Sequence, residues 1–112
     1  MKYKVVIVPF PFDDLSGQKA RPAVCLTDEI QPYGHIVLAF ITSKLSTNPS
    51  VTDFVIDSQD ADFALTGLKV SSTVRLHRLM TASSKIITRE LGKLSKYQQT
   101  EIENRLRKLF GI

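Results

Sequence analysis

Arg21 is the side chain in this 112-residue sequence whose setting most suggests chemistry. It follows Lys19-Ala20 and precedes Pro22, at the head of the apolar run Ala23-Val24-Cys25-Leu26. Proline lacks a backbone donor and steers the residue before it away from helical geometry, so Arg21 sits where an extended strand begins. A guanidinium held there presents a planar fork to a phosphate or carboxylate. Its alternative use is a structural bridge to Asp13 or Asp14 across the polar stretch Leu15-Ser16-Gly17-Gln18. His77 is the second group of interest, because an imidazole titrates near neutrality and can serve as base or acid. The alternative for His77 is a partly exposed strand histidine with no role, and His35, opening an apolar run, reads as a structural one. Two histidines and one cysteine, scattered, have no metal-ligand spacing. A phosphate-cradling glycine loop and a nucleophile elbow are absent too, so the chemistry expected uses no cofactor and no metal.

These groups need a scaffold, and composition limits what kind. Hydrophobic residues at 43% and charged residues at 23% are ordinary globular usage, which excludes a disordered or collagen-like chain. The length suits one domain, residues 1–112, small enough that a dimer interface would add useful apolar burial. Cys25 is the single cysteine, lies in an apolar run, and fits a buried inert thiol in a reducing compartment. Val5-Val6-Ile7-Val8 stops at Pro9, too short for a signal sequence or a membrane span, so cytoplasmic residence is expected. Charge is uneven: residues 69–112 hold ten basic and three acidic side chains, net +7, against five and eight, net minus three, in residues 1–68. A positive surface of that kind captures polyanions, either nucleic acid or an acidic protein tail; a solvated helix face is its plainer use.

Val5–Val8 and Ala23–Thr27 read as short buried strands and His35–Ile41 as a central one. Asn48-Pro49-Ser50 marks a loop, Thr52–Ile56 is extended, and Thr66-Gly67 punctuates before an extended Leu68–His77. Strand alternation puts Arg75 and His77 together on one side of that last segment and Val74 and Leu76 on the other. A further short strand covers Thr88–Leu91. Ser95-Lys96-Tyr97-Gln98 has the capping-box pattern and opens the one helix. Ile102, Leu106, Leu109 and Phe110 form its apolar stripe, Arg105, Arg107 and Lys108 its outer face, and Gly111 its stop. Short strands with one terminal helix predict a mainly β fold, a strongly curved and mostly antiparallel sheet.

Taken in order, Val8-Pro9-Phe10-Pro11-Phe12-Asp13, Lys19-Ala20-Arg21-Pro22-Ala23-Val24, Phe40-Ile41-Thr42-Ser43, Gly67-Leu68 with Ser72, Arg75 and Thr81, and Leu91-Gly92-Lys93-Leu94-Ser95 resemble the MazF/PemK family of bacterial toxin endoribonucleases. The resemblance runs over nearly the whole chain. It implies an SH3-like barrel of short antiparallel strands with a C-terminal helix, a homodimer, and metal-independent, sequence-specific cleavage of single-stranded RNA that stops translation and growth. By the same resemblance Arg21 is the catalytic arginine, Thr42 the hydroxyl on the scissile phosphate with Ser43 beside it, and Arg75 the arginine of an Arg-x-Asp element whose third place is taken here by His77. Phe12, Gln18, Lys19, Lys44 and Ser72 are the expected RNA contacts. Phe10, Phe12 and Tyr33 can stack on unpaired bases, with core packing as the other use of the two phenylalanines. A cognate antitoxin with an acidic tail is the implied protein partner, and the basic half of the chain would attract it.

RNA cuts itself when its 2′-hydroxyl loses a proton, attacks phosphorus in line and expels the 5′-oxygen. Arginines can neutralise the charge that builds on the phosphorane oxygens, and a Thr or Ser hydroxyl can hold one of them. Two other readings stand beside this one. Phe110-Gly111-Ile112 is similar to the Trp-Gly-Ile end of the CcdB gyrase inhibitors, which implies a non-enzymatic toxin, and an SH3-like shape also suits a catalytically silent RNA- or protein-binding module.

Overall fold

The computed structural model describes residues 1–10, 19–45 and 47–112, with backbone alone at Phe10. Among these, the strands are β1 (Lys4–Phe10), β2 (Lys19–Cys25), β3 (His35–Thr42), β4 (Asp53–Ile56), β5 (Ser72–Ser83) and β6 (Arg89–Lys93), followed by the helix α1 (Lys96–Phe110). The strands form one sheet in the order β4-β5-β3-β2-β1-β6, antiparallel at every pairing and curled into a half-barrel. The expected class, mainly β with a C-terminal helix, is the one observed, and His35–Ile41 lies in the sheet interior. The strand expected over Leu68–His77 needs correction. Residues 68–71 stay outside the sheet, where the Ser72 hydroxyl donates to the Val70 carbonyl at 2.8 Å, and β5 then runs on to Ser83.

Alternation along β3 divides the apolar residues between two faces. Ala39 and Ile41 join Val5, Val24, Phe54, Ile56, Val74, Leu76 and Leu94 in a buried cluster that includes Ile102 of the helix. Ile36, Leu38 and Phe40 join Val6, Val8, Ala23 and Cys25 on the opposite face. Complete burial of each larger side chain stabilises by roughly 1.5–3 kcal/mol, so one helix with few anchors suffices to close the first face. The capping box forms as the sequence indicates: Gln98 N donates to the Ser95 hydroxyl and Ser95 N to the Gln98 side chain, at 3.1 and 2.8 Å. Gly111 ends α1 in left-handed geometry.

Two expectations for the helix are corrected. Phe110 is 60% exposed, because it falls past the part of the helix that rests on the sheet. Arg105 is not an outward residue. Three places beyond Ile102 it shares the sheet-facing side, where Nε donates to the Asp53 carbonyl at 3.2 Å, Nη1 meets Glu101 at 2.8 Å, and the guanidinium lies 5.2 Å from the Phe54 ring centre.

The glycines of the Gly67-Leu68 and Leu91-Gly92 motifs have a packing role. A Cβ on Gly92 would fall 2.2 Å from the Leu65 carbonyl oxygen, and one on Gly67, which has φ +73°, 2.1 Å from that of Leu91. The short 3-10 turn Ala64–Thr66 therefore lies directly on β6. Cys25 is fully buried, and burial pushes its thiol up to about 11. Burial, followed by the Glu103 carboxylate that accepts from its hydroxyl, pushes Tyr3 up to about 12. No helix among the described residues is long and apolar enough to cross a membrane.

Candidate active site

Strand register brings the site together. Ala23 of β2 pairs with Phe40 of β3, Phe40 with Arg75 of β5, and Arg75 with Asp53 of β4, which makes one row across four strands. Two residues further along, Thr42 pairs with Thr73 and Thr73 with Val55, and Arg21 stands two residues before Ala23. Side chains repeat every second residue along a strand, so Arg21, Phe40, Thr42, Arg75 and Asp53 all leave the sheet on the face opposite the helix. There Arg21, Thr42, Ser43, Lys44, Arg75 and Arg78, with Phe40 and Ile41, line an open pocket of about 310 Å³.

Local backbone rules explain how the groups are presented. The β2–β3 ladder covers Ala23–Cys25, so the strands part at Pro22 and leave Arg21 exposed beyond the last pair. Pro9 is tolerated within β1 because the β1–β6 ladder ends at Ile7, and its missing amide breaks no bond on that side. The Thr42 Oγ accepts from the Lys44 amide at 3.2 Å, which leaves the hydroxyl hydrogen to be donated elsewhere. The Thr73 hydroxyl in turn donates to the Lys44 carbonyl at 3.2 Å. Among the described residues no acidic side chain forms an ion pair with Arg21 or Arg75. A phosphate entering the pocket meets the guanidinium groups of Arg21, Arg75 and Arg78 at its rim and an apolar floor at Phe40, which is 8% exposed.

The pairing of β3 with β5 breaks between Ala39, opposite Leu79, and Phe40, opposite Arg75, so residues 76–78 are in excess on β5. Val74 and Leu76 both enter the helix-side cluster, as alternation predicts, and His77 approaches Asp53, which shares the face of Arg75. Arg78 reaches the pocket and His77 does not line it; instead its Nδ1 lies 4.0 Å from Oδ1 of Asp53. The Asp53 side chain is only 10% exposed. Its Oδ2 accepts from the Ser50 amide at 3.1 Å, while Oδ1 and the Arg75 Nε are buried without a hydrogen-bond partner.

The remaining candidates are dispersed. Lys19 is exposed opposite Phe10 and outside the pocket lining. Ser72 is buried, and its hydroxyl proton is engaged by Val70. Phe12, Gln18, Asp13 and Asp14 lie outside the described residues. Tyr33 is 70% exposed beyond the end of β3 that lies opposite Thr42, and stacks on His35 with ring centres 5.6 Å apart. His35 is itself exposed: as the first residue of β3 it precedes the covered part of the strand. Arg78 had no signal in the sequence, since nothing in the residue types announces the bulge that brings it to the pocket, and Asp53 had none because its partners lie on other strands.

The family profile of the PemK-like, MazF-like toxins of type II toxin-antitoxin systems matches residues 1–110. The chain belongs to this family. Comparison with curated protein sequences gives no significant match. Among solved structures, the Mycobacterium tuberculosis toxin MazF-mt6 is similar with a TM-score of 0.74 at 22% identity, covering 97% of either chain. An endoribonuclease in complex with its cognate antitoxin, from a mycobacterial species, is similar with a TM-score of 0.74 at 13% identity, covering 100% of this chain and 95% of that one. A mycobacterial endoribonuclease gives 0.71 at 16%, covering 100% and 91%. At these identities the likeness establishes the shared toxin fold.

Proposed function

We propose that this toxin is an endoribonuclease that cuts single-stranded RNA at its 2′-hydroxyl without a metal. The observation that carries the reading is the convergence of Arg21, Thr42 and Arg75, from three different strands, on one face and in one pocket. Arg21 and Arg75 neutralise the non-bridging oxygens as charge builds on them, and Thr42 donates its hydroxyl hydrogen to one of those oxygens. One preorganised donor of this kind is worth about 2.7–4 kcal/mol of transition-state stabilisation. Ser43, Lys44 and Arg78 hold the flanking backbone at the rim. His77, outside the pocket lining but exposed between the lining residues Arg75 and Arg78 in the chain, takes the 2′-hydroxyl proton, the 2′-oxygen bonds to phosphorus, the bond to the 5′-oxygen breaks, and that oxygen leaves with a proton from water. The products are a 2′,3′-cyclic phosphate and a 5′-hydroxyl end.

The family membership, and a neighbour bound to its cognate antitoxin, support an antitoxin partner here too. The exposed cations suit an acidic tail that competes with RNA for Arg21 and Arg75. A homodimer of single-domain chains, residues 1–112, in the cytoplasm completes the proposal. Purified protein is incubated with defined RNA in excess chelator, and the ends are mapped. Discrete cuts ending in cyclic phosphate, lost in Arg21→Ala and Thr42→Ala, are expected. Intact RNA, or toxicity that survives Arg21→Ala but vanishes when residues 110–112 are removed from a still-folded chain, would overturn it.

A further inference from the structure

Asp53 belongs neither to the pocket lining nor to the helix-side core, yet its carboxylate is nine-tenths buried with one oxygen unsatisfied. A buried polar atom left unpaired is costly, and such exceptions call for a reason. The groups around it supply one. From the segment before β4, the Ser50 amide fixes Oδ2. From β5 come Arg75, directly opposite in the ladder with its Nε also unpaired, and His77, whose Nδ1 stands 4.0 Å from the free Oδ1. From α1, Arg105 approaches the backbone carbonyl of Asp53 while its Nη1 is engaged by Glu101. The oxygen is therefore aimed, by a fixed backbone contact on its twin, toward the cationic strand and its histidine.

We infer that Asp53 is a positioning residue for His77: its Oδ1 receives the Nδ1 hydrogen of the imidazole and so leaves Nε2 as the nitrogen that exchanges a proton with RNA. This rests on the nuclease reading for its use, though the pairing itself is tested separately below. An imidazole shift of about 1 Å brings Nδ1 from 4.0 Å to hydrogen-bond distance. Contacts of this type commonly tighten when substrate arrives. When Nε2 takes the 2′-hydroxyl proton, the cation formed on the ring lies against a carboxylate already stripped of water, and no proton passes to Asp53 itself. The bulge at residues 76–78 gains a function from this arrangement. It leaves His77 outside the β3–β5 ladder and within 4.0 Å of Asp53, so that a residue from the edge strand can orient it.

Asp53→Asn keeps the shape and the Ser50 contact and removes the charge. With that variant, cleavage under saturating RNA falls about 10- to 100-fold, KM changes less than about threefold, and the acidic limb of the pH–rate profile moves to lower pH, because the imidazolium has lost its stabilising partner. A drop in active fraction with an unmoved limb would mean a structural role only, and overturns the inference. A second measurement needs neither turnover nor that variant. The chain has two histidines, so His35→Gln leaves His77 alone in a nitrogen-15 spectrum of the imidazole. Neutral His77 carrying its hydrogen on Nδ1 is expected, and a hydrogen on Nε2 overturns the proposal. Failure of the nuclease reading is distinguishable, since it removes cleavage in the unaltered toxin and leaves the tautomer in place.

Discussion

The two faces of the sheet use arginine in opposite ways. On the helix side Arg105 is occupied on every flank, by the Asp53 carbonyl, the Glu101 carboxylate and the Phe54 ring, and its charge serves to fasten α1 over an apolar cluster. On the other face the cluster of Val6, Val8, Ala23, Cys25, Ile36, Leu38 and Phe40 runs out into Arg21, Arg75 and Arg78 around an open pocket, and no acid pairs with Arg21 or Arg75 among the described residues. A cation that is satisfied within the fold stabilises it. Arg21 and Arg75, with no acid on them among the described residues, are the cations that the proposed reaction uses. Burial and partners, and not residue type, separate the two.

Substitutions that strike one face alone break or sharpen the contrast. Ile102→Ala should cost about 2–5 kcal/mol in urea unfolding through the cavity it opens, while cleavage per folded molecule stays within about twofold. Equal losses in both would show that the faces are not independent. Arg21→Ala should lower kcat/KM about 10²- to 10³-fold, with a melting temperature within about 2 °C of the parent, as expected for an exposed side chain. A large fall in melting temperature would assign Arg21 to the scaffold instead. Ser95→Ala, which removes one half of the capping box, should cost about 1 kcal/mol of stability and leave RNA cleavage unchanged.

The smallest effect near neutral pH belongs to Cys25, buried on the pocket face of the sheet. Its thiol lies near 11 in the folded chain against an ordinary value of 9.0. The folded state thus stays protonated where the unfolded chain ionises, so this contribution is intact below pH 9.0 and disappears as pH rises from there to about 11. Urea midpoints measured through that window should fall less steeply in Cys25→Ala. An unaltered slope would show that the thiol is not a source of the alkaline loss.

Much of this division was legible in the residues. The capping box at Ser95 and Gln98 reads directly, because each partner is specified three positions from the other. The extended backbone at Arg21 was also legible from Pro22, although β2 begins at Lys19 and Arg21 pairs with Val8 inside it; it is the β2–β3 ladder that starts at Ala23. The convergence of Arg21 with Thr42 needs inter-strand register, which depends on how loops bring β2, β3 and β5 side by side. Alternation gives the shared side of Val74 and Leu76 but not Arg78 in the pocket, because period two holds only while the ladder is continuous, and three surplus residues in β5 reset it. Helical spacing placed Ile102 correctly and Phe110 wrongly, because spacing gives the direction of a side chain and not the extent of the sheet beneath it. Asp53 and Arg105 share that difficulty, since each meets its partners on an element remote in the chain.

The two contacts on Lys44, its amide bound by Thr42 and its carbonyl by Thr73, have a consequence for engineering. Clamped at both ends of its peptide framework, Lys44 works as a mounting bracket between a fixed reaction chamber and the segment that leads to β4. Changes made in residues 47–52 should therefore leave the Thr42 hydroxyl contact in place.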